Sequence, residues 1–542
     1  MKYGPSLFGR RALAFLIWTA FFGVFFAYVY WSIDPRLMYF RQGPVFYFGW
    51  QFLQPFLDHP GGATQYAAAF IGQWLQLRGW GALVLTLGSA MLSLATAMVL
   101  ARLRIRWGGL FCLVPPLSLL FFYHDYNFSL SAVTGLVMAA LVTMFYILVM
   151  SGTRMWRVVS VLALAAALGW IAAWWALVFV VLAVALEIWY QRDESRPVRR
   201  LPWLVLPVLG TMALIALTLY PLQMRREKVL LEIGYYAEEQ QWQEVLSAAR
   251  RLKGADLFAR SDIIRALYAT GRLSEDLLDY PISVTTVQPP PSLEKFVPYR
   301  QFATMSDWLF DLGRVNEAEH AAYEALELAG ERPAILKRLV LIHVAKGQPA
   351  AARVYLSAIE KTVFGRGWVQ SYRRAHDVSP EMIEDERVQQ AWSLMDKTDV
   401  EVPPEEALIL VRALQTNPRN RMALEYLMTH YLLTGQLFNL AEAIGRLPAD
   451  EYPVIPRLWE EALVAYMSSP NAEPVDLGGR TIRPETVERH RSFFGAISFL
   501  RNPRTASAWN GLKTNYGNTY WFLMFFGSSA AAGPFVPATT TY

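Results

Sequence analysis

Cysteine is almost absent from the chain. Cys112 stands alone among 542 residues, so no intrachain disulfide and no cysteine-based zinc site can form. Ionisable residues are nearly missing from the apolar runs of the first 220 positions. Glu187 is the one acid well inside such a run, and it lies close enough to the run's end to reach the interface. The runs thus hold almost none of the groups that form intramembrane proton or ion relays, which argues against an ion-coupled transporter. The basic surplus is also not where a nucleic-acid footprint would need it. Residues up to Tyr220 hold 15 Lys and Arg against 6 Asp and Glu, whereas the remainder holds 35 against 39. The formal charge of +5 thus comes from loops flanking apolar segments, and no nucleic-acid partner is expected. A small-residue cleavage site is lacking after the first apolar run, Leu13 to Trp31. That run is also longer than a signal-peptide core, so it reads as an uncleaved span.

What is present divides at Tyr220. A bilayer core of about 30 Å takes roughly 20 apolar residues per helix, and candidate spans fall at 13–32, 81–101, 107–123, 131–150, 157–170, 173–190 and 201–220. The fifth and sixth are short and meet at Gly169, Trp170, Trp174 and Trp175, either as a tight re-entry or as one long helix. Arginine placement favours the re-entry. With Lys2, Arg10 and Arg11 cytoplasmic, seven spans put Arg102, Arg104, Arg106, Arg154, Arg157 and the cluster Arg192 to Arg200 on the same side. The expectation is an all-α protein: a polytopic domain of about seven spans over 1–221, then an extracytoplasmic TPR-like (tetratricopeptide) solenoid over 222–470. In a Gram-negative cell this is an inner-membrane protein with a periplasmic domain.

The first outer loop, 33–80, is aromatic rather than hydrophilic, with Tyr39, Phe40, Phe46, Phe48, Trp50, Phe52 and Phe56. It is expected to lie in the interface, turn at Asp58-His59-Pro60-Gly61-Gly62, and continue as a helix from about Thr64 to Leu77. Asp34, Asp58 and Asp125 are the candidate catalytic carboxylates, as general base or as ligands of a divalent cation. Arg36, Arg41, Arg78 and His124 are the candidate binding residues, and Arg225 and Arg226 follow the last span. The competing reading makes Asp34 the start of a turn before Pro35, and Asp58-His59 the cap of another.

The second half carries a repeat. Leu312-Gly313-Arg314 returns as Lys346-Gly347-Gln348 after 34 residues, the tetratricopeptide period. Ala318 then corresponds to Ala352 and Ala325 to Ile359. Asn417 to Gly435, Tyr235 to Leu246, and Ala266 to Gly271 resemble further copies, so the stretch 228–465 resembles the tetratricopeptide superfamily in degenerate form. One helix pair cannot bury its own apolar face, so several must stack. Gln288 to Pro291 reads as a polyproline-like connector, and Arg373, Arg374 and His376 as a solvated basic face. Residues 471–526 are expected to cap the array, with the aromatic run Tyr516 to Phe526 too short to span a bilayer. The tail 527–542 is expected to be disordered.

Asp34-Pro35-Arg36-Leu37-Met38-Tyr39, Phe56 to Gly62 with Tyr66, and Gly517 to Phe522 together resemble an uncharacterised family of bacterial multi-span proteins with helical-repeat tails. The architecture alone resembles the GT-C glycosyltransferases that carry TPR domains. Such enzymes hold an acidic residue or pair in the first outer loop; Asp34 is where one would stand here, and the adjacent pair is missing. Two functions follow. The first is a scaffold that sits in the lipid bilayer and recruits a protein partner through its solenoid. The alternative is a glycosyltransferase using a polyprenyl-phosphate-linked sugar, its phosphate met by arginine and a divalent metal held by the carboxylates. No other cofactor is expected.

Overall fold

A computed structural model describes residues 7–102, 111–149, 154–190, 222–283, 298–373, 384–397, 405–500 and 505–532. The expected span 201–220, the connector Gln288 to Pro291, and Arg374 and His376 lie outside these residues. Helices supply the architecture throughout. Two compact units are present: residues 1–225 with 360–366, and residues 226–359 with 367–542.

The first unit begins with α1 (Leu7–Tyr28), which opens into a wide turn over Val29–Ile33. Then follow α2 (Pro35–Gln42), α3 (Trp50–Leu57), α4 (Gly62–Gly72), α5 (Arg78–Arg102), α6 (Val114–Phe122), α7 (Leu130–Val149), α8 (Arg154–Ala172) and α9 (Ala176–Tyr190). Among the described residues, four stretches are long and apolar enough to cross a membrane: Phe15–Ile33, Arg78–Arg102, Leu130–Leu148 and Met155–Trp175. Their outward side chains, including Phe15, Val24, Leu148 and Leu162, are apolar and more than half exposed. In water that would be costly; against lipid chains it is the favourable arrangement. Helix α5 packs on α1, α6 and α7, and α7 packs in turn on α8 and α9.

The aromatic join resolves into a hairpin. Helix α8 stops at Ala172, Ala173 takes a left-handed φ of 49°, and α9 returns alongside α8. Ala139 and Tyr146 of α7, Leu168 and Ala172 of α8, and Phe179 and Ala183 of α9 share one core. The reversal falls at Ala173, within the expected join, and Trp175 lies over α7. Its indole lies where a Cβ on Gly135 would stand, 2.2 Å from Cδ1. Helix α4 packs on α7 and α8, with Gly61 N donating to Trp170 O at 2.8 Å and Thr64 Oγ1 to Ile171 O at 2.9 Å. The helix expected to run to Leu77 ends at Gly72 and tightens into a 3₁₀ turn over Gln73–Gln76.

The second unit is a series of helical hairpins. Its helices are α10 (Leu222–Glu238), α11 (Trp242–Ala249), α12 (Leu257–Ala269), α13 (Leu273–Asp276), α14 (Pro298–Asp311), α15 (Val315–Ala329), α16 (Pro333–Ala345) and α17 (Pro349–Glu360). They continue as α18 (Gly365–Arg373), α19 (Glu386–Leu394), α20 (Glu406–Thr416), α21 (Arg421–Thr434), α22 (Leu437–Gly445), α23 (Arg457–Met467), α24 (Pro484–Ser498), α25 (Ala506–Tyr516) and α26 (Tyr520–Phe526).

Among the described residues, one turn is used five times. Helices α10, α12, α14, α16 and α21 each end in a left-handed residue, namely Gln240, Gly271, Gly313, Gly347 and Gly435. In each case the next N–H closes back five residues: Gln241 to Tyr236, Arg272 to Leu267, Arg314 to Leu309, Gln348 to His343 and Gln436 to Tyr431, all at 2.7–2.9 Å. The following helix starts one residue later. This is the Schellman closure, which satisfies carbonyls that a helix end otherwise leaves unpaired. Glycine holds four of these positions because a Cβ disfavours the conformation. The small residues Ala318, Ala325 and Ala352 behind these turns are fully buried, as is Ile359.

Besides a smaller cluster of Phe493, Trp509, Leu512, Trp521 and Phe522, two larger apolar cores are present among the described residues of this unit. One joins residues between Val229 and Ile282 to residues between Leu410 and Leu463, with Tyr520 and Leu523. The other is built mainly by α14 to α17 with Val369, Val388 and Ala391. The aromatic run near the C-terminus is folded into the unit, with Tyr520, Trp521, Phe522 and Leu523 buried. The tail also departs from its expected disorder at its start. Ser529 is buried: its N–H donates to Ile282 O at 2.8 Å, and its Oγ accepts from Ile282 N at 3.1 Å and donates to Tyr280 O at 2.6 Å.

Candidate functional site

Asp34 is held where the wide turn after α1 meets α2, with a φ of 55°. Its carboxylate caps α2 by accepting from Arg36 N at 3.3 Å. The Arg36 side chain then grips both oxygens, Nε to Oδ1 at 2.9 Å and Nη2 to Oδ2 at 2.7 Å. A second guanidinium, Arg78, stands 3.6 Å from Oδ2, donates to Tyr30 O at 2.8 Å and lies over the Tyr30 ring. Asp34 is 4 % exposed. Both oxygens of Asp34 are thus taken up by neighbouring guanidinium groups.

The other candidates occupy separate roles. Asp125 is exposed and bends its own loop by accepting from Asn127 N at 2.9 Å. Arg41 donates to the side chain of that Asn127 at 2.8 Å. His124 joins Tyr28 Oη at 2.9 Å through Nε2 and Leu120 O through Nδ1. Asp58 is exposed at the C-terminal end of α3, and the His59 ring beside it meets Pro55 O at 3.0 Å. Arg226 pairs with Asp256 at 3.2 Å. Among the described residues, no three His, Cys, Asp or Glu side chains are grouped as metal ligands would be.

The densest polar chemistry lies in the second unit. Arg265 of α12 reaches Asp311 at 2.9 Å and Asp307 at 3.6 Å, both on α14. Arg387 of α19 takes the other oxygen of Asp311 at 2.7 Å. Arg338 of α16 pairs with Asp307. The Phe310 ring carries Arg338 on its face at 5.0 Å and Arg387 at 5.8 Å, and Trp242 carries Arg265 at 5.3 Å. Arg300 stands 3.6 Å from Asp262. The seam is therefore built by the leading helices of successive hairpins, with α19 set against α14 and α16.

Burial governs the electrostatics here. Asp311 is held below the ordinary carboxylate range: burial pushes it up, and Arg387 and Arg265 together more than offset this. Asp262 is pushed up to about 6 by burial, against the pull of Arg300 and Arg265. Burial, and then the charges of Arg387 and Arg265, drive the Arg338 guanidinium well below its usual value, opposed by Asp385 and Glu238. The partners in this seam lie as far apart as residues 265 and 387, with no local spacing to announce them. The one sequence signal is that Arg265, Asp311 and Arg338 interrupt otherwise apolar helix faces.

A family of unknown function (DUF6057) matches residues 10–225 and 218–527. The chain belongs to that family. The two matched stretches meet at 218–225, where the structure also divides. No curated protein and no solved structure matches the chain.

Proposed function

We propose that this is a membrane-held interaction protein. About seven spans, with the N-terminus cytoplasmic, fix an extracytoplasmic TPR-like solenoid whose leading helices bind a partner protein. The observation that carries this reading is the fivefold use of one hairpin closure together with a charged seam along the helices that lead each hairpin. Stacked hairpins of this kind present long surfaces, and aromatic and arginine side chains are the residue types that dominate binding energy at interfaces. Chemical crosslinking in native membranes, read by mass spectrometry, tests it. Discrete crosslinks from residues 226–532 to another protein are expected; a protein that crosslinks only to itself and to lipid contradicts the reading.

One observation favours a second reading, that of a GT-C-like glycosyltransferase. Asp34, Arg36 and Arg78 gather at the end of the first apolar helix, where a lipid-linked sugar phosphate would arrive. Arg36, Arg41 and Arg78 would meet the phosphate, His124 would line the site, and Asp34, Asp58 and Asp125 would supply base or metal ligands. Against it, the charge of Asp34 is already taken up by two arginines, Asp125 bends its own loop, and Asp58 lies apart at the exposed end of α3.

A further inference from the structure

Helix α24 has two unlike faces. The inner one is fixed: Phe493, fully buried, packs against Tyr516, Trp521 and Phe525, and Thr486 donates to the buried Glu460 at 2.7 Å. Val487 and Phe494, seven residues apart and so on one stripe of the helix, face outward half-exposed. At the C-terminal end Phe499 is 90 % exposed, with Leu500 exposed beside it. In the four stretches apolar enough to cross a membrane, the most exposed large apolar side chain is Met155, at 72 %. Phe499 therefore stands further into its surroundings than the side chains that lipid would cover. Because the inner face anchors α24, a small rotation of the helix does not tuck the ring away.

The charge near this end has one sign. Arg491 is well exposed, and its partner at 3.1 Å, Glu488, is exposed too. Beyond Glu488 the sequence has no acidic side chain, but it has five cations: Arg489, Arg491, Arg501, Arg504 and Lys513. The chain beyond Tyr220 as a whole leans the other way, with 35 basic residues against 39 acidic. Both features favour one occupant. A ring that stands this proud needs a matching pocket in a protein, whereas a bilayer deforms around it. Cations beside the ring attract anionic headgroups over about 10 Å at ordinary salt. The apolar helices of the first unit tether the chain to a bilayer, which raises the effective concentration of that surface.

We propose that the C-terminal end of α24 docks on an anionic lipid surface. Phe499, Leu500 and Phe494 enter the interface, and Arg491 lies among the lipid phosphates. The proposal rests on the chain being held in a membrane, and not on its having a protein partner.

The test uses the full chain reconstituted in vesicles that contain a nitroxide-bearing quencher lipid. Cys112→Ala removes the native thiol, and Ser498→Cys, at an exposed position next to Phe499, carries a fluorophore. In phosphatidylcholine mixed with phosphatidylglycerol, quenching is expected to be at least threefold stronger there than for the same probe at His320→Cys, an exposed position on α15. It should fall in phosphatidylcholine alone. Phe499→Asp should lower it to the level at His320→Cys, and Phe499→Leu should keep most of it; the exposed ring can be exchanged without loss of packing. The proposal is overturned if the two probe positions are quenched alike, if Phe499→Asp changes nothing, or if the two lipid mixtures give equal quenching. A surface made for a protein gives the first of these results. A partner found by crosslinking without lipid contact at Ser498→Cys would defeat this proposal alone; lipid contact without a partner would defeat the scaffold reading alone.

Discussion

Glu461 accepts the backbone N–H of Tyr520 at 2.8 Å, across 59 residues of chain, and so ties the first turn of α26 to α23. The carboxylate is 2 % exposed and is also held by Arg457 at 3.2 Å, whose guanidinium bonds Asn518 O at 3.1 Å. Its neighbour Glu460, fully buried, does the same for α24, accepting from Arg483 N, Arg483 Nε and Thr486 Oγ1 at 2.6–2.7 Å. Two consecutive glutamates therefore dock the C-terminal helices. Glu461→Ala leaves buried donors unmet and should destabilise the second unit by about 3–5 kcal/mol. Limited proteolysis should then release fragments cut beyond residue 470; an unchanged digest would show that apolar packing alone holds the cap.

The hairpin turns give a contrast in backbone strain. Gly271 and Gly313 have φ of 68° and 80°, but only Gly313 is crowded: an added Cβ would lie 2.5 Å from Leu394 Cβ and 2.7 Å from Leu394 C. Gly271→Ala should cost about 1 kcal/mol, the conformational term alone. Gly313→Ala should cost at least about 2 kcal/mol more, since backbone must shift. Thermal or denaturant unfolding of the two variants checks the order, and equal losses would refute the close approach.

Asp262 predicts a pH dependence with a definite sign. Its pKa is raised in the folded state, so the folded chain binds the proton more tightly than the unfolded chain does. The contribution of this group to stability is present below the unfolded value near 4 and is lost as the pH rises to about 6. Asp262→Asn mimics the neutral form. Relative to wild type, the variant should therefore gain about 2–3 kcal/mol between pH 4 and pH 7. A gap that does not change with pH, or that narrows, would contradict the assignment.

Asp34→Asn separates the two functional readings. The scaffold reading expects outer-surface glycosylation to be unaffected by it. The variant should lose about 1–3 kcal/mol of local stability as the Arg36 fork weakens, visible as faster hydrogen exchange in α2. Loss of a glycan at normal protein level would restore the enzyme reading.

The sequence disclosed what depends on near neighbours. Apolar runs, the 34-residue return of glycine at Gly313 and Gly347, and the turn-forming role of Asp34 before Pro35 are all local chemistry, and all are found. Gln240 was less legible, because it takes the left-handed position without glycine and is held there from a distance: its amide, oriented for bonding, accepts from Arg387 at 2.7 Å. The join was legible only as the stretch from Gly169 to Trp175; the reversal falls at Ala173, where Trp175 fills the notch over Gly135. The arginine seam was invisible, since Arg265, Asp311, Arg338 and Arg387 meet only once the hairpins stack. Ser529, buried against Tyr280 and Ile282, shows the same limit at the tail.

The central claim is that the leading helices of the array contact a partner, and a photo-crosslinking amino acid at Glu238 or Lys337 reads this most directly in living cells. Glu238 ends α10 and Lys337 lies beside Arg338, whereas Phe438, half-exposed on α22, serves as the control. The account predicts an adduct of one discrete mass at the first two positions and none at Phe438. No adduct at either seam position, or the same pattern at all three, would contradict it.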